Sequence, residues 1–131
     1  MAENFKTEII NPEKIIFSYD VSMVTLPSYE GDMSILKNHI SIITFLRPGI
    51  IKIYKSELNS EDFFVQDGTV EYFNDNLTIL SSSVINVKDL SKEFINDLIE
   101  NTQEKLKKEG INDHDRYVLN HQLDVIKELR V

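Results

Sequence analysis

The sequence contains no cysteine, so it can form neither a disulfide framework nor a thiolate nucleophile or metal ligand. It has no apolar run close to the roughly 20 residues that a helix needs to cross a bilayer. Residues 1–4 lack the basic and apolar regions of a signal or transit peptide, and we expect none. We therefore expect no direct membrane insertion, so that any membrane association goes through a partner.

Positive charge is also scarce. The chain has 14 basic and 22 acidic residues, for a net charge of −8. Residues 1–87 carry −6 of this charge and residues 88–131 carry −2, so neither part has the basic surface that a phosphate backbone requires. Nucleic acid and a bare anionic membrane surface are therefore poor candidate partners.

What is present fits a folded chain of modest size. Its 131 residues are 41% hydrophobic and 27% charged, which suits one domain or one small domain with an appendage. The few glycines and prolines mark turns between short apolar runs, and Pro48-Gly49 predicts a type II turn. Residues 74–76 predict the turn of a β-hairpin. Apolar residues at every second position predict one half-buried strand through Ile15, Phe17, Tyr19, Val21 and Met23.

The pattern becomes helical near residue 87, where proline is absent and apolar residues recur every three or four positions. Ser91 or Asp89 is predicted to cap the first helix, and Gly110 to end it. Asp113 or Asp115 is predicted to cap the second helix, with His114 in the connector. The whole chain thus predicts an α+β fold, with an N-terminal antiparallel β-sandwich over residues 1–87 and an antiparallel two-helix hairpin over residues 88–131.

The stretch from Leu26 to His39 contains the most distinctive polar residues. Pro27 is predicted to end a strand, and Gly31 to make a sharp turn between the carboxylates of Glu30 and Asp32. Nothing nearby offers a nucleophile or a desolvating pocket, so a solvated turn is a better interpretation than an acid–base pair. His39, His114 and His121 lack the further ligands that a metal site needs. No P-loop or nucleophile-elbow string is present, and we expect no catalytic residue and no cofactor.

Two strings, one within this stretch and one shortly after it, resemble a known family. They are Glu30-Gly31-Asp32-Met33-Ser34-Ile35 with Asn38-His39 after it, and Arg47-Pro48-Gly49 leading into Ile50-Ile51-Lys52-Ile53. Together they resemble the epsilon subunit of the F-type ATP synthase of bacteria and chloroplasts, and the resemblance covers nearly the whole chain.

The resemblance implies a non-catalytic central-stalk subunit of the rotor. Such a subunit links the gamma subunit to the membrane c-ring and couples proton-driven rotation to ATP synthesis. It implies that Glu30, Gly31 and Asp32 face the ring and that His39 lies near the boundary of gamma and the ring. Without the family, His39 is a plain surface residue. The implied location is peripheral, on the cytoplasmic side of the bacterial inner membrane.

The helical hairpin departs from the family pattern. Many bacterial epsilon subunits bind ATP through an I/L-D-x-x-R-A string, whose aspartate and arginine positions hold Ser91 and Phe94 here. An apolar Phe94 cannot pair with a phosphate, which argues against ATP binding. In the family, basic residues of the second helix can also contact the alpha and beta subunits and stop ATP hydrolysis. The residues available here are Arg116, Lys127 and Arg130, interspersed with acids, so we expect weak inhibition at most.

Two other classes of function remain open from the sequence. A nucleotide-sensing regulatory module would have the same sandwich and helices, and Mg-ATP binding would distinguish it. A small hydrolase or sugar-binding sandwich would need a concave polar pocket, for which the sequence offers no convergent set of residues.

Overall fold

A computed structural model describes residues 3–129 of the chain. Ten strands within this range precede two helices. The strands are β1 Phe5–Ile10, β2 Ile15–Val21, β3 Met23–Ser28, β4 Gly31–Ile35, β5 Ile42–Leu46, β6 Gly49–Ser56, β7 Asn59–Val65, β8 Gly68–Phe73, β9 Asn76–Leu80 and β10 Ile85–Asn86. A 3-10 turn, Val87–Asp89, leads to the helices α1 Lys92–Leu106 and α2 Asp113–Leu129.

The strands form one curled sheet in the order β10-β7-β6-β3-β5-β8-β9-β1-β2, with β4 paired to β3. The curl brings its two halves face to face as the layers of a sandwich, so that the Phe17 and Phe63 rings lie 5.8 Å apart. Between the layers lies a core of fully buried side chains that includes Ile9, Val24, Leu26, Ile51, Ile53, Val70 and Ile79. The chain has the α+β fold that its sequence predicts. One pairing departs from the predicted antiparallel pattern, because β1 runs parallel to β9.

The predicted strand through residues 15–23 is in fact two strands. The break falls at Ser22, whose amide and hydroxyl both donate to the Tyr54 carbonyl oxygen, at 2.8 Å and 3.0 Å. At this point the chain leaves its pairing with β1 and joins β6. Ile15 and Tyr19 are more than half exposed, so the alternation of apolar residues was a poor guide to burial here.

Two predictions about turns are also wrong. Gly49 does not have the positive φ of a type II turn, which within residues 3–129 is found among glycines only at Gly31 and Gly110. Instead Gly49 begins β6 and leaves room for Pro27, since a Cβ on Gly49 would lie 2.5 Å from the Cβ of Pro27. Pro27 itself does not end a strand, because β3 continues to Ser28.

The ends of the helices differ in detail from the prediction. Ser91 caps α1 as predicted, with its hydroxyl accepting the Phe94 N–H at 3.0 Å. The helix ends at Leu106, so Gly110, with φ +80°, lies in the connector and is not the residue that ends the helix. Asn112 caps α2 by accepting the Asp115 N–H at 2.7 Å. His114 therefore belongs to α2 and not to the connector.

The helical hairpin packs on the outer face of β6 and β7. Phe64 of β7 is buried there together with Ile95, Ile99 and Ile126 of the helices. One polar pair joins the two helices to each other, where the Gln122 amide donates to the Thr102 hydroxyl at 2.9 Å. Because helices of this length are marginal alone, contact with the sandwich supplies much of their stability.

Candidate functional site

The tip of the β3–β4 hairpin has the exposed position that the sequence predicts. Tyr29 and Glu30 form the turn, and Gly31 follows it with φ +117°, a conformation that L side chains rarely adopt. The Ser28 hydroxyl is buried beneath the turn and accepts the Glu30 N–H at 3.0 Å. Glu30 is exposed, and the side chain of Asp32 is 72% exposed. Two carboxylates are thus presented at the tip of the hairpin.

Asp32 is held by Arg47, a residue that the sequence alone does not assign to the site. Arg47 Nη2 donates to Asp32 Oδ1 at 2.9 Å, and Arg47 Nε donates to the Ser28 carbonyl oxygen at 3.0 Å. The Arg47 side chain is largely covered, at 19% exposure. The only signal in the sequence was that Arg47 opens the second recognised string, which says nothing of its partner.

The tip also lies against the second helix, which the sequence did not predict. The Tyr29 ring stacks on the His114 ring, with centroids 6.1 Å apart. Arg47 Nη1 is 3.4 Å from His121 Nδ1. Partial burial, followed by the negative charge of Asp67, raises the pKa of Tyr29. The two histidines lie seven positions apart on α2, which places them on one face.

His39 occupies a different place. Its Nδ1–H donates to the Ile40 carbonyl oxygen at 2.7 Å, and its ring makes a T-shaped contact with the Tyr72 ring, with centroids 5.7 Å apart. The preceding residue, Asn38, has φ +67° and donates its N–H to Asp75 Oδ1 at 2.9 Å. That bond, followed by the Tyr72 hydroxyl, lowers the pKa of Asp75. The loop before β5 is therefore fixed to the β8–β9 turn.

Strand β5 separates the two groups of predicted residues. Its C-terminal end pairs with the tip, where the Tyr29 N–H donates to the Phe45 carbonyl oxygen at 3.2 Å. His39 precedes its N-terminal end, about 15 Å away at the rise of a β-strand. Glu30, Gly31 and Asp32 are thus brought together, and His39 is not.

Large apolar side chains are exposed along this strand and beside it. Ile43 and Phe45 point outward from β5, Ile40 precedes it, and Phe73 ends the adjacent β8. These four residues, here called the β5 face, are between 61% and 77% exposed. So much exposed apolar surface on one face is typical of a protein–protein contact.

Two of the predicted cations on α2 are exposed. Arg116 and Lys127 are eleven positions apart, which places them on the same side of the helix about 16 Å apart. In the part of the chain that the structure describes, neither forms an ion pair. Arg130, the third predicted cation, lies outside the described residues.

Ser91 and Phe94, which the resemblance aligns with the family's ATP-binding string, have structural roles. Ser91 is the cap of α1, and Phe94 lines a groove of about 330 Å³ between α1 and the sandwich. The groove is lined by Phe64, Gln66, Ser82, Ser83, Val84, Ile85, Phe94 and Leu98, none of which is basic. Across residues 3–129 no group of three or more histidines and carboxylates could hold a metal ion.

Neither helix that the structure describes is long and apolar enough to span a bilayer.

Comparison with known proteins identifies the fold. Residues 4–87 match the family model of the ATP synthase Delta/Epsilon chain, beta-sandwich domain. The ATP synthase epsilon chain of Pelagibacter ubique (strain HTCC1062) is 47% identical over 98% of this chain and 99% of its own. That of Parvibaculum lavamentivorans (strain DS-1) is 33% identical over 99% of this chain and 98% of its own.

A solved structure has the same fold. A chain of the Euglena gracilis mitochondrial ATP synthase, determined with OSCP, F1 and the c-ring, superimposes with a TM-score of 0.74. It covers 96% of this chain and 79% of its own length at 16% sequence identity.

A β-sandwich followed by two packed helices, with the family match over residues 4–87, defines the class of ATP synthase delta and epsilon chains. Within that class, the chain belongs to the family of bacterial ATP synthase epsilon chains, central-stalk subunits of the F-type ATP synthase.

Proposed function

We propose that the protein links the gamma subunit to the c-ring and transmits rotation between them, using the polar β3–β4 tip and the apolar β5 face. The observation that carries this proposal is the exposed β5 face with a polar tip at one end and His39 at the other. A subunit between two partners needs two contact surfaces, and the polar tip and the apolar β5 face are two surfaces of different chemistry.

The polar tip is the proposed contact with the ring. Glu30 presents a carboxylate, and Gly31 allows the turn to be sharp. Asp32 also lies at the tip but is partly neutralised by Arg47, so Glu30 carries more of the exposed charge. Polar loops of a membrane ring can accept a carboxylate without the cost of burying it in lipid.

The β5 face is the proposed contact with gamma. Its four apolar side chains would be covered by a partner in the assembled enzyme, as in interfaces of permanent type. His39 lies next to Ile40, at the edge of this face, which agrees with the position that the resemblance implies for it.

We further propose that the protein has no catalytic residue and acts at the cytoplasmic side of the bacterial inner membrane, held there by its partners. Residues 1–87 would supply the mechanical link, and residues 88–131 would form a second unit. Arg116, Lys127 and Arg130 would contact the alpha and beta subunits only weakly, because Asp124 and Glu128 lie among them on the same helix.

A nucleotide-sensing role is the second candidate, favoured by the groove beside Phe94. The lack of a basic lining argues against it, since phosphates need cationic or N–H donors. Calorimetry with Mg-ATP tests it, and clear binding would contradict the interpretation of Ser91 and Phe94.

The main experiment uses the purified ATP synthase assembled with the full chain or with a chain ending at Lys88. We expect both forms to support coupled proton pumping and to differ little in ATP hydrolysis. A many-fold rise in hydrolysis with the short chain would show that the hairpin is a strong inhibitor.

Single changes separate the two surfaces. Phe45→Glu is expected to weaken binding to gamma at least tenfold, because a carboxylate would be buried in an apolar contact. Tyr19→Glu, at an exposed residue of β2, is the matched control and should leave binding unchanged. Equal binding of both variants would rule out the β5 face as the gamma contact.

A further inference from the structure

Arg47 joins the proposed ring-facing tip to the second helix. Its guanidinium makes two contacts with the tip, to Asp32 Oδ1 and to the Ser28 carbonyl oxygen. A third contact reaches His121 of α2 at 3.4 Å. A guanidinium is only a donor, so His121 accepts through Nδ1.

The three contacts depend on one side-chain conformation. An arginine side chain has many rotamers, and fixing it in one has an entropic cost. The two bonds to the tip select the rotamer that also reaches His121. Conversely, α2 helps to cover the guanidinium, and an ion pair that loses such cover is screened by water and salt.

Charged residues around Arg47 determine how the tip and α2 act on each other electrostatically. The groove between the tip and α2 contains Asp32, Asp124 and Glu128 along with Arg47 and His121. Without Arg47, these carboxylates would repel one another across the groove. Tyr29, stacked on His114, provides a second contact between the tip and α2.

We infer that Arg47 couples the docking of the helical hairpin to the conformation of the β3–β4 tip. A partner that grips the tip and shifts Asp32 changes how firmly α2 is held. By reciprocity, release of α2 loosens the tip. The identity of that partner as the c-ring rests on the proposed function, whereas the coupling itself does not.

Hydrogen exchange of the full-length free chain tests the coupling. Asp32→Asn weakens the hold on Arg47 at the tip and is expected to speed exchange of the α2 amides about two- to fivefold, the effect of one partly exposed ion pair. A direct charge effect acts the other way, because loss of the Asp32 charge relieves repulsion with Asp124 and Glu128 and slows exchange. Glu30→Gln is the matched control, and it should leave α2 unchanged. Unaltered exchange in β6 and β7 verifies that the sandwich is intact.

A second variant completes a double-mutant cycle. His121→Ala is expected to speed α2 exchange by itself. Adding Asp32→Asn to it should have no further accelerating effect, since the link is already cut. Equal acceleration by Asp32→Asn in both backgrounds, no acceleration, or slower exchange would overturn the inference.

The proposed function is tested separately by adding purified c-ring to the free chain. The cycle can show that Asp32→Asn acts through His121 while the ring leaves the exchange of residues 29–32 unchanged. In that case the coupling stands and the proposed ring contact at the tip is wrong. Protection of residues 29–32 together with a change in α2 exchange supports both. Protection of the tip with no change in α2 overturns the claim that the ring acts through Arg47.

Discussion

The hydroxyl of Tyr72 donates a 2.8 Å hydrogen bond to Asp75 across the β8–β9 turn. The same carboxylate oxygen accepts the N–H of Asn38 at 2.9 Å. One side chain therefore holds together the turn and the loop that positions His39. This hydrogen-bonded link can be tested at alkaline pH through Tyr72 and at acidic pH through Asp75.

At alkaline pH the test is Tyr72→Phe. Burial, followed by the hydrogen bond to Asp75, raises the pKa of Tyr72 from 10.0 to about 12. A raised folded pKa means that this stabilisation is complete below about pH 10 and is lost as the pH rises towards about 12. Urea unfolding should show the wild type losing more stability than the variant between these values. At neutral pH the free energy of unfolding of the variant should be lower by about 1 kcal/mol, because one hydrogen bond is lost. Parallel stability curves at high pH would argue against the assignment.

At acidic pH the test is Asp75→Asn. The Asn38 N–H, followed by the Tyr72 hydroxyl, lowers the pKa of Asp75. A lowered folded pKa stabilises the fold above the unfolded value, and this contribution disappears as the pH falls through the folded value. The variant should therefore lose less stability than the wild type on acidification below about pH 4. Equal loss of stability in the wild type and in Asp75→Asn on acidification would contradict this prediction.

Two glycines should respond differently to alanine. In Gly49→Ala the new Cβ would lie 2.5 Å from the Pro27 Cβ, so we expect a loss of about 1–3 kcal/mol from overpacking. In Gly31→Ala the space is open, and the cost of about 1–3 kcal/mol comes from holding an alanine at a φ of +117°. Gly49→Ala should also disturb amide chemical shifts around Pro27, and Gly31→Ala only those of the tip. If the changes in amide chemical shift in Gly49→Ala are confined to β6, the new Cβ does not displace Pro27.

The polar pair between the helices gives a test of hairpin stability. Thr102→Val leaves the buried Gln122 amide without its partner and should cost about 1–3 kcal/mol. The double variant Thr102→Val with Gln122→Leu removes both polar groups, and should recover most of that loss. Hydrogen exchange of α1 and α2 measures both. If the double variant is less stable than the single one, the pair contributes more than its hydrogen bond.

Much of the fold could be predicted because local signals agreed. The hairpin turn at residues 74–76 is present between β8 and β9, where Asn74 and Asp75 both have positive φ. Ser91 caps α1 as its sequence context indicates. The exposed tip was predicted from Gly31 and its flanking carboxylates. Each of these features depends on residues close together in the chain.

The errors fall where contacts between residues far apart in the sequence determine the local structure. Gly49 is required by Pro27, which lies 22 positions earlier in the sequence. The break at Ser22 depends on the Tyr54 carbonyl oxygen. Arg47 belongs to the site because the fold brings it to Asp32 on one side and His121 on the other. Spacing in the sequence contains no information on such meetings.

The parallel pairing of β1 with β9 has a consequence for the synthesis of the chain. The register joins Lys6 to Asn76 and Ile10 to Leu80. Strand β1 therefore has one edge that stays unpaired until β9, 70 positions further along the chain, has been made. An unpaired strand edge invites association with other chains. We expect the nascent chain to depend on a chaperone or on rapid completion until β9 arrives, since pairings so far apart in sequence form slowly.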